Sequence, residues 1–206
     1  MKYSDLFVYV LSEVPSCPEF TAERAIRDAC IDFCARTDIY RAEPQTLVIS
    51  LSITDYEIDA PTGTEPNHVN AILRKGRPLE EVTYEDAFMR IEMSEFGPPS
   101  YYAQPDNRTI VLGPKPEGRE TLKILYSLKP TQASSSIPDT IGLEHRETLV
   151  SGALFRLQMM SGQPWMDGSA AGANRQLYER GVSAAMRQAK YGHNGASLRV
   201  TPREFI

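Results

Sequence analysis

Hydrophobic and polar positions along the chain run first at a helical period, then at an alternating one, and then at a helical one again. The first clear pattern follows Ser16-Cys17-Pro18-Glu19. Ala25, Ile26, Ala29, Cys30, Phe33 and Cys34 recur at three- and four-residue spacing, with Glu23, Arg24, Arg27 and Asp28 on the other side. This predicts an amphipathic helix to about Arg36, its start marked by Ser16 as a cap, Pro18 in the first turn and Glu19 closing a capping box. From Pro44 the rhythm becomes two. Thr46 to Ile53, Val69 to Leu73, Tyr101 to Ala103, Thr109 to Leu112 and Thr121 to Leu128 are predicted strands, with a further short segment at Leu79 to Val82. In the last strand Leu122, Ile124, Tyr126 and Leu128 share one side. Pro/Gly-rich turns separate these runs, and Thr83, with Asp86 three residues on, predicts a short helix over Tyr84 to Ile91.

After a polar, Ser-rich linker from Thr131 to Pro138 the helical period returns. Leu149, Val150, Ala153, Leu154, Leu157 and Met160 form an apolar stripe in a helix expected from about Gly142 to Met160. Gly162-Gln163-Pro164-Trp165 breaks it, and Asp167 caps a last helix running to about Tyr191. Its buried face is expected to be small: Ala170, Ala173, Leu177, Gly181, Ala184 and Ala185. The fold class that follows is α+β: an α-helical bundle built from the N- and C-terminal segments, an inserted antiparallel β module (a sandwich or small barrel), and an extended C-terminal arm. The corresponding boundaries are 1–44 with 131–195 for the helical domain, 45–130 for the β domain and 196–206 for the arm.

Composition narrows the function classes. The chain has 206 residues, 41 % of them hydrophobic, enough to bury a core. Its formal net charge of -5 argues against a general nucleic-acid binder, though not against a chain that lines a path for DNA. No run reaches the roughly 18 apolar residues of a membrane helix. Leu6 to Leu11 is apolar but flanked by Asp5 and Glu13, with no basic region before it, so a signal peptide is not expected. Cys17, Cys30 and Cys34 are odd in number, which points to a reducing compartment rather than a disulfide framework.

Candidate chemistry is sparse. His68, His145 and His193 form no paired motif, and Cys30 with Cys34 offers two metal ligands on one helix face without a third. Gly168 to Asn174 is glycine-rich at a helix start but lacks the Lys-Ser/Thr of a P-loop. Glu80-Glu81 and Glu85-Asp86 are carboxylate pairs with the pattern of a solvated surface. No catalytic residue, no metal and no cofactor is therefore assigned. Trp165 reads as a loop anchor. Tyr101 and Tyr102 should point to opposite sides of a strand, the outward one being either a partner-interface contact or an exposed edge tyrosine with no partner.

The ending Ser197-Leu198-Arg199-Val200-Thr201-Pro202-Arg203-Glu204-Phe205-Ile206 is too apolar for a solvated terminus, and Pro202 forbids continued helix. Leu198, Val200, Phe205 and Ile206 either fold back on the same subunit or add onto a neighbouring protein.

Several segments, in this order, resemble the head-to-tail adaptor (connector) proteins of tailed bacteriophages, the short-tailed type above all. They are Ala25 to Cys34, Asp59 to Pro66, Gly97 to Tyr102, Ile137-Pro138-Asp139, Gly152 to Leu157, Gly162 to Trp165 and Leu198 to Phe205. The resemblance implies a non-enzymatic virion protein at the head–tail junction, made in the bacterial host cytoplasm. Its partners would be the portal protein, a tail nozzle or tail tube protein, and copies of itself in a ring, a dodecamer, with DNA passing through the lumen and no membrane involved. Leu198, Arg199, Val200, Thr201, Pro202, Arg203, Phe205 and Ile206 would then be portal-binding. The competing readings are a carbohydrate-binding or decoration module carrying Tyr101 and Tyr102, and a hydrolase using Glu80 and Glu81.

Overall fold

In the computed structural model, which describes residues 1–94 and 96–192, helices at both ends of the chain enclose a β region. A 3-10 turn (Tyr3–Leu6) leads into α1 (Phe7–Leu11) and α2 (Glu19–Thr37). Eight strands follow, β1 (Gln45–Ile49), β2 (Asp55–Glu57), β3 (Thr64–Arg74), β4 (Arg77–Pro78), β5 (Glu80–Glu81), β6 (Tyr101–Ala103), β7 (Thr109–Gly113) and β8 (Glu120–Pro130). Helix α3 (Tyr84–Met93) interrupts them, and α4 (Asp139–Glu144), α5 (Arg146–Gln158) and α6 (Gly168–Tyr191) complete the described chain. The fold is α+β, and of the two expected β architectures it is the sandwich; no closed barrel forms.

Two open four-stranded sheets make up that sandwich. One has the order β1-β8-β3-β4 and is antiparallel throughout; the other has the order β2-β7-β6-β5, with β5 parallel to β6. Lys75 and Gly76, both at positive φ (49° and 80°), form the two-residue turn that folds β4 back on β3. Leu122, Ile124, Tyr126 and Leu128 face inward as predicted and meet Ile49, Val69, Ile72, Tyr102, Ile110 and Leu112 in one buried cluster. The strand expected to continue to Ile53 stops at Ile49. Ser52 adopts φ 64°, and the Tyr56 hydroxyl bonds to the backbone at Ser50 and Ile53, so this stretch carries the chain across to the second sheet.

On the outer face of the second sheet Tyr101, Ala103 and Val111 pack against Ala87 and Ile91 of α3. Thr83 caps that helix, its hydroxyl accepting from the Asp86 amide at 3.2 Å. Helix α3 thus packs on the second sheet, the first sheet meets α2, and α5 and α6 pack on α2 and on each other.

The helical segments bury a second large cluster, made of residues from both ends of the chain. All six predicted inward residues of α2 are buried. Its start differs from expectation: Pro18 is the N-cap and no side chain bonds the first amides. The helix predicted from Gly142 to Met160 is divided at His145, whose backbone (φ -107°, ψ 21°) leaves the helical region. The polar Thr131 to Pro138 linker is anchored to the N-terminus, with Ser134 and Ile137 buried. Its backbone pairs with the N-terminus through the Lys2–Ser136 bridge, and the Ser134 hydroxyl lies 2.7 Å from that of Tyr3.

Helix α6 presents a different face from the one expected. Ala171, Tyr178, Val182 and Ala185 are buried, whereas Ala173, Leu177 and Ala184 are exposed. The large ring of Tyr178 sets the rotation, because it fills the space between α2, α5 and α6 and its hydroxyl donates to Asp32 at 2.6 Å.

Candidate interaction surfaces

The groups that chemistry would use are engaged in structure. Cys30 and Cys34 are fully buried in the helical core, and burial pushes the Cys34 thiol up to about 12 and that of Cys30 well above its ordinary value. Both are therefore small protonated core residues rather than thiolate ligands. Among the described residues no group of three or more His, Cys, Asp or Glu side chains could hold a metal ion. At the glycine-rich start of α6 the carboxylate of Asp167 accepts from the amides of Ser169 and Ala170 at 2.9 and 3.0 Å. The donors that would attract a phosphate are thus already occupied by an anion of the chain itself. Glu80 lies 3.3 Å from Arg90 in an exposed ion pair, and Glu81 is solvated beside it.

His145 packs against Phe33, with ring centroids 5.1 Å apart and the planes tilted by 46°, and belongs to the helical packing. His68 sits in a polar junction that pattern reading missed. Asp38, the left-handed residue ending α2 (φ 52°), accepts from Ser127 at 2.6 Å and from Asn67 at 2.8 Å. The Ser127 hydroxyl also accepts from the His68 amide at 3.2 Å. These bonds join the end of α2 to β3 and β8. The hint in the sequence was a serine in β8 on the side opposite Leu122, Ile124, Tyr126 and Leu128. His193 lies outside the described residues.

Tyr101 and Tyr102 do point to opposite sides of β6, but neither is exposed. Tyr102 enters the core between the sheets, where its hydroxyl donates to the Val69 carbonyl at 3.3 Å. Tyr101 is the outward one of the pair but lies under α3, so the surface contact expected of it is corrected. The same burial removes the exposed aromatic pair that a carbohydrate platform would use. Leu198, Arg199, Val200, Thr201, Pro202, Arg203, Phe205 and Ile206, the candidate portal-binding residues, lie outside the described residues.

Much of the exposed apolar surface lies on helices. On α3 the side away from the sheet exposes Tyr84, Phe88, Met89 and Met93, with Phe96 just beyond the helix; Met93 is 88 % accessible. On α6 Leu177 and Met186 are exposed. Around α1 and α4 the exposed residues are Val8, Tyr9 and Leu143, with the Arg146 guanidinium 4.6 Å from the Tyr9 ring centroid. Such surfaces suit binding to other proteins rather than turnover of a small molecule. No helix among the described residues is long and apolar enough to cross a membrane.

The family model described as SU10 adaptor protein matches residues 1–201. No curated protein matches the chain.

Proposed function

The chain belongs to the SU10 adaptor protein family, a family of phage adaptors, and on that premise we propose that it forms a ring joining the portal to the tail. One observation carries the reading: the match runs from residue 1 to residue 201, through the helices and both sheets. The β region is thus part of what the family shares. Residues 1–44 with 131–195 form a helical domain in this proposal, and 45–130 an inserted β domain. The separation of the buried clusters supports that division.

In the assembled virion the helical domain meets the portal at the head–tail junction, and the β domain faces outward or toward a tail nozzle or tail tube protein. Packaged DNA passes through the lumen without specific binding. A formal net charge of -5 suits that path, because a strongly cationic wall would hold DNA by counterion release. Leu198, Arg199, Val200, Thr201, Pro202, Arg203, Phe205 and Ile206 act as an arm on the portal, with backbone pairing for affinity and side-chain pockets for specificity.

The test uses purified portal rings from the same phage, mixed with the full chain or with a chain lacking residues 197–206. Co-sedimentation and electron microscopy should show the full chain as a ring on the portal and the truncated chain unbound. Equal binding by both would remove the arm from the proposal. A full chain that leaves portal rings bare would overturn the junction assignment itself.

A further inference from the structure

We infer that neighbouring copies of this chain join head to tail through two helix faces, the outer face of α3 on one copy against the outer face of α6 on the next. The inference rests on the ring reading above and names the surfaces that would build it.

Helix α3 turns Ala87 and Ile91 toward the sheet, which leaves Phe88, Met89 and Met93 in solvent together with Glu85 and Glu92. Its one cation, Arg90, is already held by Asp86 at 2.7 Å and Glu80 at 3.3 Å. The free face is therefore acidic, with large apolar side chains between the carboxylates. Two such faces would repel one another, so a symmetric α3–α3 contact is disfavoured.

Helix α6 offers the complement. With Ala171, Tyr178, Val182 and Ala185 buried, its solvent side carries Ala173 and Leu177 ahead of the exposed Arg180, and Ala184 between Arg180 and the exposed Arg187. Its one acid, Glu179, is taken up by a two-pronged pair with Arg36 at 3.0 and 2.6 Å. The free face is thus basic, and its apolar residues are mostly small.

The two faces also match in spacing. Glu85, Met89 and Glu92 are separated by four and three residues, as are Arg180, Ala184 and Arg187. On each helix the outer charges lie about 10.5 Å apart along the axis. Laid side by side in the same direction, Glu85 meets Arg180, Glu92 meets Arg187, and Met89 fills the shallow place over Ala184. Helix α3 packs on β6 and β7, whereas α6 packs on α2 and α5, so the two faces belong to different parts of the chain. A contact between two unlike faces is heterologous, repeats from copy to copy, and closes into a ring when the rotation allows.

The test swaps the charges. One full-length variant carries Glu85→Arg with Glu92→Arg, and the other Arg180→Glu with Arg187→Glu. All four positions are exposed, and unchanged thermal melting checks that both variants fold. Assembly is followed by sedimentation velocity and electron microscopy, alone and on purified portal rings. Each variant alone should need at least about tenfold more protein to assemble than the unmodified chain, as loss of 1.4 kcal/mol per contact implies. An equimolar mixture of the two should form rings again, because every α3–α6 contact in an alternating ring then pairs opposite charges. If each variant alone assembles like the unmodified chain, this interface is wrong while the ring stands. If both fail and the mixture does not rescue them, the faces bind something other than each other, such as a tail protein, and the inference is overturned. An unmodified chain that stays monomeric on portal rings as well as alone would overturn the ring reading together with it.

Discussion

A Cβ placed on Gly152 would lie 2.7 Å from Cε2 of Tyr178 and 3.1 Å from the Cβ of Ala29, so α2, α5 and α6 meet where α5 has no side chain. The Tyr178 ring cannot retreat easily. It is buried, its hydroxyl donates to Asp32, and Arg156 lies 3.2 Å from the same carboxylate. Gly152→Ala should therefore destabilise the chain by about 1–3 kcal/mol through overpacking, despite alanine's better helix propensity. At Gly172, where an added Cβ meets nothing within 4 Å, the same change should stabilise by up to about 1 kcal/mol. Urea unfolding of the two variants checks the prediction, since only the local packing gives them opposite signs.

Ser127 is the hinge of the junction between α2 and the first sheet. Its hydroxyl gives its proton to Asp38 and accepts from the His68 amide. Ser127→Ala leaves that amide without its acceptor and Asp38 without one of its two side-chain donors. The expected cost is about 1 kcal/mol, the net worth of such hydrogen bonds between partly buried groups. Ser50→Ala, a change whose side chain bonds nothing among the described residues, should fall within about 0.5 kcal/mol of the unmodified chain. Equal effects in chemical unfolding would show that the junction bonds contribute nothing specific.

Thiol chemistry reports on the helical core. Cys17, Cys30 and Cys34 are all buried, and burial raises the pKa of each. A native chain at pH 8 should react slowly with a thiol-labelling reagent, with Cys17 the first to respond because it is the least enclosed of the three. In denaturant all three should label rapidly. Fast native labelling of Cys30 or Cys34 would mean that α2 and α5 open more freely than this packing implies.

These features differ in how far they were legible beforehand, and the difference is physical. The inward stripe of α2, the Thr83 cap of α3 and the Asp167 cap of α6 depend on residues within four positions of each other, so spacing alone announces them. The rotation of α6 depends on a bond from Tyr178 to Asp32, 146 residues away, and counting small residues could not reveal it. Tyr101 failed as a surface residue for a related reason. Period-two alternation separates the faces of a strand but does not say that α3 will cover the second one. The charges of Glu85, Glu92, Arg180 and Arg187 were all visible as letters, yet which helix faces stay uncovered emerged only from the packing.

Arg36 and Glu179 tie α2 to α6 and make a pH-dependent contribution whose sign is fixed. The guanidinium donates to both carboxylate oxygens, and this hydrogen bonding holds the Glu179 carboxyl below its ordinary value. A carboxyl with a lowered folded pKa binds its proton more readily in the unfolded chain. The stabilisation is therefore complete above the unfolded pKa of about 4.3 and is lost as pH falls through the lowered folded value. The Glu179 side chain is 46 % exposed, so solvent screening limits the effect to less than about 1 kcal/mol. Glu179→Gln should melt slightly below the unmodified chain at pH 7, and the gap should close as pH is lowered below about 4.3. Raising the salt to 1 M at pH 7 should narrow the same gap, because an exposed pair is screened. Glu120, lowered in the same way by Arg74, is present in both proteins and cancels from the difference. A gap that stays constant from pH 7 down to strong acid would assign the effect of the substitution to packing of the side chain rather than to its charge.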